Sequence, residues 1–188
     1  MSVLAIDTAS RSRVVCVLAS PEGELLDAAV IGGQPVAASL PRMLARMLER
    51  VDRAIVVVTG PGTYTGVRAG MAAALGVADA RRLPLHGVGA LEVVACGAEG
   101  APGAGDAAWV VADAGRGVLY VARRDAAAEP RRIRFEAFDA GGAAVVSTES
   151  LEIPGLVVVD PADALARAVR LALLWPALQR EGLTAAYV

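Results

Sequence analysis

The heptapeptide Gly60-Pro61-Gly62-Thr63-Tyr64-Thr65-Gly66 lies between an apolar run, residues 54–59, and a helical stretch that begins near residue 67. Consecutive apolar residues of this kind are typical of a strand that is buried on both faces of a parallel or mixed sheet. A glycine-rich loop from such a strand into a helix directs backbone N–H groups and the helix dipole toward one point, where an anion can bind. The segment therefore predicts an α/β fold, and this glycine loop (residues 60–66) is either a ligand-binding loop or a purely structural turn.

The glycine loop does not match the common nucleotide-binding patterns. A Walker A loop needs a lysine after its last glycine, and the sequence contains no lysine. The GxGxxG spacing of dinucleotide-binding folds is also absent. Arg68, in the first turn of the helix, could still hold a phosphate or carboxylate through two hydrogen bonds.

Two strand–turn–strand segments share one arrangement and open the two halves of the chain. Residues 3–6 form an apolar run that ends in Asp7, and a second apolar run follows at residues 14–18. Residues 109–112 end in Asp113 in the same way, and the strand Val118–Arg123 follows after a tighter turn. The repeat indicates an internal duplication. Further strands are predicted at residues 24–31, 83–87, 132–138 and 156–159.

A glycine- and proline-rich stretch, residues 97–105, predicts a linker between the two halves. We expect a first lobe at residues 1–100 and a second, smaller and shortened lobe at residues 106–188. The second lobe would include a helix at Pro161–Leu174, with Asp160 as its N-cap and a proline in its first turn.

Two helical stretches of the first half could carry an interface. Residues 36–50 have one apolar face, whereas residues 67–82 are small and apolar all round, with no charge between Arg68 and Asp79. Such a helix is either a central core helix or one whose outward face is covered by a second protein. On the second interpretation, the interface residues are Leu40, Met43, Leu44, Met47, Gly70, Met71, Ala73, Ala74 and Val77.

The overall composition limits the classes of function. The formal net charge of −2 gives no general attraction to nucleic acid, so we expect tRNA contacts to be weak or indirect. Cys16 and Cys96 have no metal-ligand spacing and predict two buried thiols. No signal sequence or apolar run long enough for a bilayer is present, which predicts a cytoplasmic protein without a membrane association.

Three segments closely resemble the TsaB family, also called YeaZ. They are Leu-Ala-Ile-Asp-Thr-Ala at residues 4–9, the glycine loop with its continuation Val-Arg-Ala-Gly to residue 70, and Leu-Pro-Leu-His-Gly-Val-Gly-Ala-Leu at residues 83–91. Residues 60–70 match a signature that is highly specific for the family, and residues 113–120 are similar to its second-lobe motif. The resemblance covers residues 3–18 and 55–124, roughly half of the chain.

The resemblance implies an actin/Hsp70-like fold (ASKHA, ribonuclease H-like) of two lobes with mixed sheets. It implies a non-catalytic partner of TsaD in forming N6-threonylcarbamoyladenosine beside the anticodon of tRNA, with TsaE in the same complex and a homodimer when alone. The family pairs through its two first-lobe helices, which favours the interface interpretation. No cofactor of its own is implied, although ATP or ADP could bind at the interface with TsaD.

The sequence departs from the related folds and families at several places. Ala9 stands where actin-like kinases carry a glycine near phosphate, and residues 33–35 lack the histidine that often precedes the first helix of the family. The region after this helix and the tail at residues 187–188 are also short. The short region after the first helix could give this chain an interface edge that differs from that of the family.

An enzyme remains the alternative hypothesis: an independent phosphotransferase or ATPase of the same fold. Asp7 and Asp113 could hold magnesium between the lobes, or they could only stabilise turns. The candidate nucleotide-site residues are Asp7, Thr8, Gly60, Gly62, Thr63, Thr65, Gly66 and Arg68. His86 is the only histidine, so neither a two-histidine metal site nor a Ser-His-Asp triad can form, and we expect no catalytic residue and no metal.

Overall fold

The protein is described by a computed structural model that covers residues 1–104, 109–124 and 129–178. It contains two five-stranded sheets. The first sheet consists of β1 (Val3–Asp7), β2 (Arg13–Ala19), β3 (Leu25–Gly32), β4 (Ala54–Gly60) and β5 (Leu85–Gly89). The second consists of β6 (Trp109–Gly115), β7 (Val118–Arg123), β8 (Arg131–Arg134), β9 (Val145–Ser147) and β10 (Leu156–Val158).

The two sheets have the same topology. The first is ordered β3-β2-β1-β4-β5 and the second β8-β7-β6-β9-β10. In both, the first strand is antiparallel to the second and parallel to the fourth, and the second is antiparallel to the third. This correspondence agrees with the internal duplication indicated by the two Asp-containing hairpins.

In the part of the chain that the structure describes, four α-helices pack around the sheets: α1 (Val36–Met47), α2 (Tyr64–Arg81), α3 (Ala90–Gly97) and α4 (Pro161–Leu174). α1, α2 and α4 all contact strands of the first sheet. Because side chains on both faces of β1 and β2 are fully buried, the first sheet is covered on both sides. α3 lies between the lobes, with Leu91 and Val94 in the core of the second sheet and Val93 in the core of the first.

The C-terminal helix α4 has the bounds predicted from the sequence. Asp160 caps it, accepting hydrogen bonds from the backbone N–H groups of Ala162 at 2.8 Å and Asp163 at 3.0 Å. Its apolar face, including Leu165 and Val169, belongs to the core of the first sheet. The predicted division at residue 106 therefore does not follow the packing, because this helix lies on the first sheet rather than on the second.

Several element bounds differ from the sequence-based expectation. α2 begins at Tyr64, three residues early, because the Thr63 side chain caps it from within the glycine loop. The predicted strand at residues 132–138 ends at Arg134 and continues as a 3-10 turn, Phe135–Ala137. The three-residue strand β9 was not predicted. Of the predicted linker, Gly97 ends α3 and residue 105 lies outside the described residues, as does the tail at residues 187–188.

None of the helices in the described ranges combines the length and the apolar character that crossing a membrane requires.

Candidate functional site

The two duplicated hairpins place an aspartate at the same point of each sheet. The Asp7 carboxylate accepts a hydrogen bond from the Ala9 N–H at 2.8 Å, and the Asp113 carboxylate accepts one from the Gly115 N–H at 2.7 Å. Both side chains thus close a turn onto the backbone two residues ahead. This geometry favours the turn-stabilising role for both aspartates.

The glycine loop packs against the first hairpin. Thr63 donates its backbone N–H to the Ala9 carbonyl at 2.9 Å, and a Cβ atom on Gly62 would lie only 2.6 Å from the Ala9 Cβ atom. Cβ atoms on Gly66 and Gly70 would collide with Thr8, whose hydroxyl donates to the Gly66 carbonyl at 2.7 Å. Three glycines are therefore required by close packing of α2 on the hairpin, independently of any ligand.

The amides at the start of α2 are also partly occupied. The Gly66 N–H donates to the Thr63 hydroxyl at 3.2 Å, and the Val67 N–H donates to the Thr63 carbonyl at 2.9 Å. Thr65 and Arg68 are exposed, and the Arg68 guanidinium lies 4.0 Å from the centre of the Tyr64 ring. The structural-turn interpretation of the loop accounts for these contacts without a bound anion.

A side chain that the sequence analysis missed, Glu149, occupies the cleft between the lobes. One Glu149 carboxylate oxygen accepts from the Ser10 hydroxyl at 2.6 Å, and the other accepts from the Asp113 N–H at 2.8 Å. The Arg13 guanidinium lies 3.6 Å from the same carboxylate and donates to the Thr148 hydroxyl at 2.6 Å. Glu149 thus links both hairpins to the segment after β9.

These contacts leave little space in the part of the cleft that the described residues line. The cavity lined by Asp7, Asp113, Arg13 and Glu149 has a volume of about 20 Å³, close to the room that one water molecule needs. Burial raises the pKa of the Asp7 carboxyl, and the Ala9 N–H and the Arg13 guanidinium offset this only in part. Within the described residues, no three His, Cys, Asp or Glu side chains are grouped so that they could hold a metal ion.

Most of the predicted interface residues are buried within the chain itself. Their side chains form the apolar faces of α1 and α2, and these faces cover the chain's own first sheet. Ala73 is half-buried. The other eight are buried: Leu40, Met43, Leu44, Met47, Gly70, Met71, Ala74 and Val77.

The outward face of α2 carries small residues instead. Ala72 and Gly76 are exposed near the middle of the helix, and Arg68 and Asp79 flank them. A Cβ atom on Gly76 would have no heavy atom within 4 Å, so packing within the described chain gives no reason for a glycine there. Glycine in a helix interior costs about 1 kcal/mol relative to alanine.

The histidine and the two cysteines are buried structural residues. His86 Nδ1 lies 3.1 Å from the Trp175 carbonyl oxygen, which fixes the segment after α4 to β5. Burial raises the pKa of the Cys16 thiol to about 12 and that of Cys96 to about 11. Both thiols are thus protonated at neutral pH, as expected for buried cysteines.

A family model described as TsaD, tRNA N6-adenosine threonylcarbamoyltransferase, matches residues 37–172, well over half of the chain. The chain belongs to this family. Its sequence matches no curated protein. The match includes the glycine loop, α2 and all five strands of the second sheet, but it begins after the first hairpin.

Two solved structures are similar over nearly the whole molecule. YeaZ from Pseudomonas aeruginosa has a TM-score of 0.74 and 20% sequence identity, covering 100% of this chain and 99% of that one. A structure described as an uncharacterized protein with similarity to peptidase YeaZ from Pseudomonas aeruginosa has a TM-score of 0.72 and 20% identity, covering 99% and 98%. The actin/Hsp70-like fold and the resemblance to TsaB, or YeaZ, are confirmed.

Membership in the TsaD family supports a role in threonylcarbamoyladenosine synthesis on tRNA. The structure brings Asp7, Thr8 and the glycine loop together at the end of the first sheet, and it places Thr65 and Arg68 outside the cleft. Glu149, Ser10, Arg13 and Thr148 were not singled out from the sequence. The short apolar run at residues 143–147, followed by Thr148 and Glu149, was the available signal.

Proposed function

We propose that this chain is the non-catalytic partner of TsaD in threonylcarbamoyl transfer to the adenosine beside the anticodon of tRNA. The observation that supports the proposal is the filled cleft: among the described residues, the cavity lined by Asp7, Arg13, Asp113 and Glu149 has a volume of only about 20 Å³. Actin-like ATPases hold their nucleotide and magnesium in this cleft. The closure therefore supports a family member that acts by docking, and it disfavours the independent phosphotransferase. We place this docking in the cytoplasm.

Docking through the outward face of α2 fits the contacts better than docking through its buried face. Ala72 and Gly76 leave the helix backbone accessible, so that a helix of a second subunit could approach closely. TsaD is the proposed occupant, with TsaE joining the complex. A second copy of this chain would use the same face when TsaD is absent, and any ATP or ADP would bind at the interface with TsaD.

Co-purification with TsaD tests the docking face. Ala72→Arg places a long charged side chain at the centre of the face, and we expect the folded variant to lose TsaD and to stop supporting modification in a reconstituted assay. Ala137→Arg is the matched control, because Ala137 is an exposed alanine of the second lobe. TsaD binding that survives Ala72→Arg unchanged would contradict this interface.

Ala74→Arg, in contrast, cannot test the interface. Ala74 is fully buried in the core of the first sheet, so an arginine there should unfold the protein by leaving a charge without solvent. The catalytic alternative is tested separately with the isolated chain, ATP and magnesium. Hydrolysis that Asp7→Ala abolishes would overturn the non-catalytic assignment.

A further inference from the structure

Four exposed arginines lie close together where the two hairpins meet the edge of the second sheet. Arg11 and Arg116 are in the turns of the first and second hairpins, and Arg132 and Arg134 are on the edge strand β8. All four residues are exposed. We call Arg11, Arg116, Arg132 and Arg134 the arginine strip.

Contacts along the backbone make the strip continuous. A Cβ atom on Gly115 would lie 2.8 Å from Arg11 Nη1, so the Arg11 guanidinium rests directly on the turn that carries Arg116. On the other side of Arg116, the Gly117 carbonyl accepts a hydrogen bond from the Phe135 N–H at 2.8 Å. Arg134 directly precedes Phe135. Arg132 lies two residues before Arg134 in β8 and therefore on the same face of the strand.

The strip consists of cations that lack an ion pair within the described part of the chain. Four other arginines, Arg13, Arg46, Arg50 and Arg170, form ion pairs with carboxylates. Arg81, Arg124 and Arg167 donate to carbonyls, and Arg68 lies on an aromatic ring. Glu136 is the exposed carboxylate nearest in sequence to Arg134. Clustered guanidinium groups of like charge repel one another, and a bound polyanion relieves that repulsion.

Protection of a sheet edge does not explain the whole strip. Charged side chains on an edge strand prevent pairing with other chains, which is a sufficient reason for Arg132 and Arg134. Arg11 and Arg116, however, lie in hairpin turns where no strand edge is available. Arg116 even adopts a left-handed backbone conformation, with φ 56°, which is unfavourable for a residue with a side chain.

We propose that the arginine strip binds the phosphate backbone of RNA; the choice of RNA rests on the proposed function in tRNA modification. Guanidinium groups form paired hydrogen bonds to phosphate and need no neighbouring apolar surface. A protein-docking surface normally has an apolar centre. In the described residues, the exposed large apolar side chains are Met1, Leu25, Leu26, Val30, Tyr64, Val158, Leu174 and Trp175, and none of them is on β6, β7 or β8.

The net charge of −2 is no obstacle to such binding, because phosphates respond to the local field. Several acidic residues lie in a different surface cavity. Glu22, Glu24, Glu99 and Asp163 line it together with Arg167 and Arg170. Contacts to phosphate carry no base information. The strip therefore binds RNA of different sequences with similar affinity and with a strong dependence on salt.

Fluorescence anisotropy of a labelled, unmodified tRNA transcript with the whole chain tests the strip. We expect Arg132→Ala/Arg134→Ala to weaken binding roughly tenfold or more near 0.1 M salt and to reduce the slope of log K against log salt by about 1 to 2. Arg42→Ala/Arg53→Ala removes the same charge from exposed arginines of the first lobe and should change binding less than about twofold. Equal losses in both double variants, or no measurable binding by the wild-type chain, would overturn the proposal.

Arg116→Gly separates binding from folding. Glycine accepts the left-handed conformation, so this variant should have a higher Tm than the wild type while it binds the transcript more weakly. Unchanged binding by Arg116→Gly and by Arg132→Ala/Arg134→Ala would exclude the strip from RNA contact.

Co-purification with TsaD distinguishes this proposal from the proposed function. The strip variants should retain TsaD. Variants that lose TsaD and still bind RNA like the wild type would identify the strip as a protein contact and would overturn RNA binding. A wild-type chain that fails to bind TsaD would refute the proposed function alone, because the RNA measurement uses the isolated chain.

Discussion

The two lobes use the segment after their fourth strand in opposite ways. After β4, the glycine loop turns back onto its own hairpin through Gly62, Gly66 and α2. After β9, the equivalent strand of the second sheet, Glu149 contacts Ser10 of the other lobe and the Asp113 N–H of its own. One segment completes the packing of a lobe, whereas its counterpart joins two lobes. A shared topology therefore does not give shared roles.

Glu149→Ala should have the largest effect, because the joint between the lobes depends on this side chain. The Glu149 and Arg13 side chains are only 10% and 12% exposed. Removing the carboxylate therefore leaves the buried guanidinium without its counter-ion and the Asp113 N–H without its acceptor. We expect the free energy of unfolding to fall by about 2–4 kcal/mol in urea titrations. Glu152→Ala is the control, since Glu152 is exposed on a loop of the same lobe. Similar losses of stability for both variants would show that Glu149 does not hold the two lobes together.

Two glycines of α2, Gly70 and Gly76, should respond in opposite directions to substitution by alanine. Gly70→Ala introduces a collision with the Thr8 side chain, and we expect a loss of about 1–3 kcal/mol in the free energy of unfolding. Gly76→Ala meets open space and should gain about 0.5–1 kcal/mol through helix propensity. Thermal unfolding followed by circular dichroism measures both. Two changes of the same sign would contradict the packing assigned to the glycine loop and α2.

Asp7→Asn should change the free energy of unfolding less than the preceding substitutions do. The change should be absent at low pH and should grow as pH rises. The raised pKa of folded Asp7 means that the folded chain holds this proton above the unfolded value of 3.8, so ionisation lowers stability as pH increases through the raised pKa. Asparagine keeps the acceptor for the Ala9 N–H but does not ionise. Urea unfolding across acidic to neutral pH should show a stability advantage for the variant that disappears as pH falls toward 4. Parallel pH curves for the two proteins would disprove the burial effect.

Local sequence patterns predicted most of the first lobe and both hairpins. Asp160 and Pro161 fixed the start of α4, and uninterrupted apolar residues identified β4. The strand β9 was missed because Val145–Ser147 has only two apolar residues, whereas the equally short β10 lies in a run of four, Leu-Val-Val-Val at residues 156–159. These successes and this failure share one cause: only patterns that are complete within a single element can be read from the sequence.

The candidate interface shows the limit of that reasoning. Helical periodicity identifies an apolar face correctly, but it does not say whether the face covers the chain's own sheet or a second protein. Met43 and Met47 of α1 pack on the first sheet. The accessible face of α2 contains Gly76, which the sequence pattern did not distinguish from the other small residues of that helix. The role of Glu149 could not be predicted from local patterns, because its partner Ser10 is 139 positions away in the sequence.

The position of α4 has a consequence for synthesis on the ribosome. This helix follows every strand of the second sheet, yet its apolar residues complete the core of the first. While the chain is still being translated, one side of the first sheet stays bare until residue 174 has emerged. Final folding of the earlier half must therefore await translation of the later one, and a fragment cut between the sheets would expose Val15 and Val17 to aggregation.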